Sequence, residues 1–258
     1  MNRNTLLQHY VMRLFVPVWL SFAIPATAAD TISVAVAANF HPVLMHIADA
    51  FHDSTAHRVL VTSGSTGNLL SQILNGAPFD LFMAADTAAL HTLAEKDRIV
   101  RSTVTTYAFG KPVVISTVTD SSVSLENTLK NANRIALAQP AVAPYGKAAQ
   151  QILENMNLWT VLEPRMVYAR SVGQSFQFAL TGNVPVAFAA YSTLVASGKQ
   201  FTGVWEIDPS RYAPIEQRLA VIAASSHKET AKAFITFLRN HEIIDLIRSF
   251  GYIVPEAG

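Results

Sequence analysis

The chain has 258 residues, 50% of them hydrophobic and 14% charged, with a formal net charge of +1 and no cysteine. That composition suits a folded protein with a large core and excludes an intrinsically disordered chain. It also excludes disulfides, thiolate metal sites and a cysteine nucleophile, and the near-neutral balance offers no argument for nucleic acid as a partner.

Arg3 and Arg13 precede an apolar run over residues 14–24, and Pro25, Ala26, Thr27, Ala28 and Ala29 follow it. A basic start, a short apolar core and a small-residue end mark a secretory signal peptide. The run is about 11 residues, short of the ~20 that a spanning helix needs. Residues 1–29 are therefore assigned to the signal, with cleavage after Ala28 or Ala29 and a periplasmic mature protein.

The mature chain opens with Thr31–Ala37, an apolar run with β-branched residues that reads as a buried parallel strand. Val43, Leu44, Ile47, Ala48 and Phe51 then mark one face of a helix over 41–52, with Asn39 at the junction. A second strand over 58–62 leads into Ser63, Gly64, Ser65, Thr66, Gly67 and Asn68, and a helix over 69–74 follows. Such a loop either caps its helix or cradles an anion on the free N–H groups of the first turn. Gly76, Ala77 and Pro78 break that helix; 79–85 is a third strand, and Asp86 starts the next helix as its cap. Alternating strands and helices argue for a parallel sheet, with ligands at the carboxyl ends of its strands.

A second set follows. Strands are expected at 113–116, 134–138, 167–169 and 185–190, with helices over 147–156, from 174 to Leu180 and after Tyr191. A strand over 216–224 and amphipathic helices over 228–238 and 242–250 close the chain. Two β/α sets predict an α/β protein of two lobes. His41, His46, His52 and His57 are spaced five and six apart, which places them on different helix faces and argues against a metal site.

Several loops now fall into an order. Ala37-Ala38-Asn39-Phe40, Ser63-Gly64-Ser65-Thr66-Gly67, the segment from Gly76 to Asp86, Ala143-Pro144-Tyr145-Gly146, Ser171-Val172-Gly173-Gln174 and Gly251-Tyr252 together resemble the periplasmic molybdate-binding proteins of ABC importers. The resemblance runs from about Thr31 to Pro255. It implies the two-lobed type II periplasmic binding protein fold, each lobe a mostly parallel sheet flanked by helices, with the ligand in the interlobe cleft. Lobe one is expected at 30–110 plus 212–258 and lobe two at 111–211. The hinge is expected near Phe109-Gly110-Lys111 and Arg211-Tyr212.

The same resemblance implies a monomeric solute-binding protein, not an enzyme, without a cofactor or cation site. It would capture molybdate, and tungstate too, and deliver it to the membrane permease of an ABC importer. Position by position, it implies ligand contacts from Asn39, from Thr66 with Ser65 beside it, from Tyr145 and from the Val172 main chain. Ala38, Gly67, Ser171 and Tyr191 are secondary candidates. Two positions depart from the family: Ala190 stands where many members carry a tyrosine, and Ala38 where one branch carries a hydroxyl residue.

Molybdate is a dianion without protons near neutral pH, so a site built only of donors suits every oxygen. The amide of Asn39, the hydroxyls of Ser65 and Thr66, the Tyr145 phenol and N–H groups near 40, 67, 146 and 172 are the expected donors. One alternative is a binder of another small anion, such as sulfate or a carboxylate; the latter usually recruits arginine, and Arg170 is the loop arginine at hand. Another is an exported hydrolase, but a nucleophile elbow needs Gly-x-Ser-x-Gly, and Gly64-Ser65-Thr66-Gly67 is one residue short.

Overall fold

A computed structural model describes residues 29–255. The expected signal peptide, Ala29 apart, lies outside the described residues.

The first β/α set gives β1 (Thr31–Ala37), α1 (His41–Thr55), β2 (Arg58–Gly64), α2 (Thr66–Leu74), β3 (Leu81–Ala84), α3 (Ala88–Glu95) and β4 (Thr105–Gly110). The second gives β5 (Pro112–Ser116), α4 (Leu125–Asn131), β6 (Ile135–Ala138), α5 (Pro144–Asn155), α6 (Trp159–Leu162) and β7 (Met166–Ala169). It continues through α7 (Val172–Leu180), β8 (Val186–Ala190), α8 (Tyr191–Ser197) and β9 (Gly203–Glu206). Then β10 (Ile215–Val221), α9 (Lys228–Phe237) and α10 (His241–Ser249) follow.

The two five-stranded sheets share one plan, β2-β1-β3-β10-β4 and β7-β6-β8-β5-β9. In each, the first three strands pair in parallel. The fourth is reversed: β10 is antiparallel to β3 and β4, and β5 to β8 and β9. The reversed strand is the one the chain enters on crossing from the other sheet. β5 follows β4 across Lys111, and β10 follows β9 across residues 207–214. This is the two-lobed periplasmic binding plan, with each lobe sealed by one strand that arrives from its neighbour.

Four elements escape a reading of periodicity, one of them the single-turn α6. β4 mixes Thr105, Thr106, Tyr107 and Phe109 at a sheet edge, so no clean alternation marks it. β9 is a four-residue edge strand, and α4 is two turns long with only Thr128 and Leu129 buried. Segments this short carry too few periods to read.

Each sheet is covered on both faces by apolar side chains. Phe40, Leu44, Ile47, Phe51 and Phe234 fill one face of the first sheet; Leu69, Phe82, Leu90 and Leu93 fill the other. Ile152, Leu153 and Leu162 cover one face of the second sheet, and Phe176 and Ala179 the opposite one. A further cluster joins the lobes: Ala37 and Ala85 from lobe one meet Ala138, Ala143, Tyr145, Ala148 and Val172 from lobe two. Alanine at these positions lets the two lobes approach backbone to backbone.

Asp80 gives the segment from Gly76 to Asp86 a structural role. It lies just before β3 and accepts from Ser33 N–H at 2.7 Å and from Ser225 Oγ at 2.5 Å. Its own N–H donates to Ser33 O and its carbonyl accepts from Ile222 N–H. One buried carboxylate thus pins β1, β3 and the end of β10 at the floor of lobe one, away from the cleft.

Candidate functional site

The carboxyl ends of β1 and β2 face the loops after β6 and β7 across the cleft. Between them, Ala38, Asn39, Gly64, Ser65 and Thr66 from lobe one and Ala143, Pro144, Tyr145, Ser171 and Val172 from lobe two line a cavity of about 10 Å³. That is close to the space of one water. Among the described residues, none that lines it is charged.

Three helices start at this cavity. Thr66 is the first residue of α2, Tyr145 the second of α5 and Val172 the first of α7. Their N–H groups have no acceptor within the helix, and the helix dipoles add partial positive charge there. In the turn before α1, Phe40 N–H bonds back to Ala37 O at 2.9 Å, which leaves the Asn39 N–H as that turn's open donor. An anion would find main-chain donors on both walls without a countercharge.

The side chains divide by what they already hold. Ser65 occupies the N-cap position of α2, yet its hydroxyl caps nothing. The residue is 4% exposed and its Oγ has no hydrogen-bond partner among the described residues. Thr66 differs: its Oγ1 accepts from Ala85 N–H at 3.0 Å, tying α2 to the end of β3, and only its own proton remains to donate. Ser171 caps α7 by accepting from Gln174 N–H at 3.3 Å, while Gln174 Oε1 accepts from Arg170 N–H at 2.7 Å. These two bonds fix the entry to α7, whose first residue, Val172, lines the cavity.

Asn39 is placed at the cavity, but its amide is not a free donor. Both Nδ2 protons are engaged, one by Gln217 Oε1 at 2.8 Å and one by Tyr252 Oη at 2.9 Å. Its offering to the cleft is its main-chain N–H. Tyr145 is buried and its hydroxyl lacks a partner among the described residues. That hydroxyl rests over Gly110 at the β4–β5 crossing, where a Cβ would collide with it. Burial, reinforced by the neighbouring Tyr252 and Tyr107 phenols, pushes the Tyr145 pKa well above the ordinary tyrosine value, so the phenol keeps its proton to donate.

Two secondary candidates stand apart from the cavity. Gly67 N–H, expected to face a ligand, instead crosses the cleft to Val142 O at 2.9 Å. A Cβ at position 67 would sit 2.9 Å from that oxygen, so glycine is what permits the approach. The Tyr191 ring packs on Gly251, whose φ of +82° suits the absent Cβ, and does not line the cavity. Phe40 N–H is likewise occupied.

Gln217 and Ser192, which the sequence reading passed over, stand directly behind the site with Tyr252 and form a buried polar group around Asn39. Gln217 stands between Glu216 and Arg218 in Ile215–Val221, so the sequence pattern does not mark it as buried. The register of β10 against β4 shifts between Gln217 and Arg218, a bulge that turns the wholly buried Gln217 side chain inward. Outside the small cavity, a recess of about 670 Å³ opens at the cleft mouth beside Asp86, Lys147 and Trp159. Asp86 caps α3 by accepting from Ala89 N–H at 2.8 Å, and burial raises its pKa above the ordinary carboxylate value.

Known proteins match this arrangement along nearly the whole chain. The family model for bacterial extracellular solute-binding proteins matches residues 32–253. The molybdate-binding protein ModA of Rhodobacter capsulatus is 35% identical over 238 residues, covering 91% of this chain and 92% of that protein. ModA of Azotobacter vinelandii is 35% identical over 88% of this chain and 91% of its own. The solved structure of the Azotobacter vinelandii periplasmic molybdate-binding protein superposes with a TM-score of 0.83 at 30% identity, covering 87% of this chain and all of that one. With the lobes, the crossings and the neutral cleft in place, the chain belongs to the family of bacterial extracellular solute-binding proteins.

Proposed function

We propose that this protein is a periplasmic carrier that captures molybdate, and tungstate equally, between its lobes and delivers it to the membrane permease of an ABC importer. It acts as a monomeric binder rather than an enzyme. Residues 30–110 plus 212–258 form one jaw and 111–211 the other. The observation that carries the reading is the Ser65 hydroxyl: buried, at a helix start, capping nothing, in a cavity without charge.

The ligand contacts in this reading are Ser65 Oγ, the Thr66 hydroxyl proton, the Tyr145 phenol, and the N–H groups of Asn39, Thr66, Tyr145 and Val172. Each hydrogen bond to a charged group contributes on the order of 1.5–3 kcal/mol. Seven of them, less the costs of closure and desolvation, support sub-micromolar binding. Among the described residues no arginine lines the cavity to pair with an organic carboxylate. No carboxylate lines it either, so the hydroxyl of a protonated phosphate has no anionic acceptor. A hydrolase reading lacks a base: no histidine, aspartate or glutamate lines the cavity beside Ser65.

Calorimetric titration of the mature protein with molybdate, tungstate, sulfate and phosphate tests the reading. Tight binding of the first two with weak binding of the others is expected. Silence toward molybdate and tungstate, with heat from sulfate or phosphate, would overturn it.

A further inference from the structure

Behind the cavity, a chain of hydrogen bonds leaves Asn39 and returns to it. Asn39 Nδ2 donates to Tyr252 Oη at 2.9 Å, Tyr252 Oη donates to Ser192 Oγ at 3.0 Å, and Ser192 Oγ donates to Asn39 O at 2.8 Å. Each hydroxyl gives one proton and receives one, so the ring is closed and its bonds polarise one another in the same sense. All three residues are buried: Asn39 is 1% exposed, Ser192 3% and Tyr252 4%. The second Asn39 amide proton goes to Gln217 Oε1, and Gln217 Nε2 is held in turn by Ile215 O at 3.1 Å.

The membership of the ring is uneven. Asn39 follows β1, Gln217 lies on β10, and Tyr252 follows α10, all in lobe one. Ser192 stands in the first turn of α8 and belongs to lobe two. Its hydroxyl therefore reaches the ring only while α8 is docked against α1. With the ring closed, the Asn39 carbonyl and both of its amide protons are engaged, and its main-chain N–H is left at the cavity.

We propose that Ser192 is a positioning residue that couples lobe closure to the Asn39 donor, so that the closed, loaded form is held by a contact the ligand never touches. The proposal rests on the oxyanion reading of the cleft given above. Its signature is kinetic. The open protein, which the ion meets first, lacks the Ser192 bond and gains nothing from it. The bond contributes only after closure, so it slows release and leaves capture alone.

Ser192→Ala is a clean test because it strands no partner. Tyr252 Oη lies 2.9 Å from Asn39 O and can turn its proton there, keeping Asn39 paired within lobe one. Ser192→Cys keeps the shape with a poor donor and separates packing from hydrogen bonding. Stopped-flow tryptophan fluorescence with molybdate gives both rate constants, and Trp159 at the cleft mouth is placed to report closure. Both variants are expected to release molybdate about three- to tenfold faster, the worth of one neutral hydrogen bond. Capture rates within twofold of wild type and an unchanged melting temperature without ligand complete the expected result. An unchanged release rate, a wild-type release rate in Ser192→Cys, or a slower capture that accounts for the affinity loss would each overturn the proposal. A wild-type protein that took no molybdate would overturn the functional reading and, with it, this inference; normal wild-type binding with unchanged release in the variants overturns the inference alone.

Discussion

Substituting Ser65 by alanine separates a ligand donor from a helix cap, because the two roles predict opposite effects on the empty protein. A serine at an N-cap normally stabilises its helix, and its loss costs about 1 kcal/mol. Here the Ser65 hydroxyl caps nothing and is buried without a partner among the described residues. Removing it leaves no orphaned group behind, so the ligand-free protein is expected to melt at the same temperature or slightly higher. Affinity moves the other way. Losing one hydrogen bond to an anion, on the order of 1.5–3 kcal/mol, weakens binding by about 10- to 150-fold. Thr66→Val is the matched control. It removes the acceptor of Ala85 N–H as well as a donor, and a stranded buried N–H costs about 1–3 kcal/mol. At roughly 2–4 °C per kcal/mol for a chain of this size, the ligand-free melting temperature should fall by about 2–12 °C. Scanning fluorimetry without ligand and calorimetry with molybdate read both quantities. If Ser65→Ala lowered the empty protein's melting temperature as much as Thr66→Val does, or left molybdate affinity intact, the assignment of Ser65 as a reserved donor would be refuted.

Three further outcomes are expected. Gly110→Ala should displace the Tyr145 hydroxyl and weaken molybdate binding about tenfold or more, whereas in a Tyr145→Phe background the same change should cost much less; additive effects in that double-mutant cycle would show that the two residues do not meet. Gly67→Ala should strain only the closed form, by about 1–3 kcal/mol, because its Cβ would lie 2.9 Å from Val142 O and 3.0 Å from Val142 Cα; calorimetry should find weaker binding with an unchanged ligand-free melting temperature, and a drop in the latter would contradict it. Asp86 binds its proton more tightly folded than unfolded, so its contribution to stability is present below the ordinary carboxylate range and is lost as pH rises through its raised value. Asp86→Asn, which keeps an oxygen for Ala89 N–H, should therefore raise the melting temperature at about pH 7 and leave it unchanged at about pH 3, and equal shifts at both pH values would count against desolvation as the cause.

Most of the architecture was readable in the chain because parallel strands buried on both faces are written as unbroken apolar runs. Val186–Ala190 is such a run, and Thr31–Ala37 is one interrupted only by Ser33 after its leading Thr31. The reversed strands, the edge strands β4 and β9 and the short α4 were harder, since register and edge position are decided by partners far away in sequence. The site divided along similar lines. The helix entry at Ser171 with Gln174 could be read, whereas α5 begins at Pro144, three residues before the expected 147, because its first turn carries no periodic apolar face. Which hydroxyl is reserved for a ligand could not be read, because that depends on what else lies within reach. The Thr66 hydroxyl meets Ala85 and the Ser65 hydroxyl meets no partner among the described residues, although the two are adjacent. Asn39 failed as an amide donor for the same reason: Gln217 and Tyr252, 178 and 213 residues away, take both of its protons.

The hydroxyls of Ser65 and Tyr145, without partners among the described residues, also bear on the protein when it carries nothing. Shut and empty, the cleft would hold two alcohols and several helix-start N–H groups away from water, each unmet group costing about 1–3 kcal/mol. Opening rehydrates them, and filling satisfies them. Vacancy therefore selects against the shut form without any separate sensor, and the shut form selects for a tenant with oxygens on every side. A receptor that recognised only the shut outline would thereby be shielded from futile encounters with unloaded copies, however many of them crowd the same compartment.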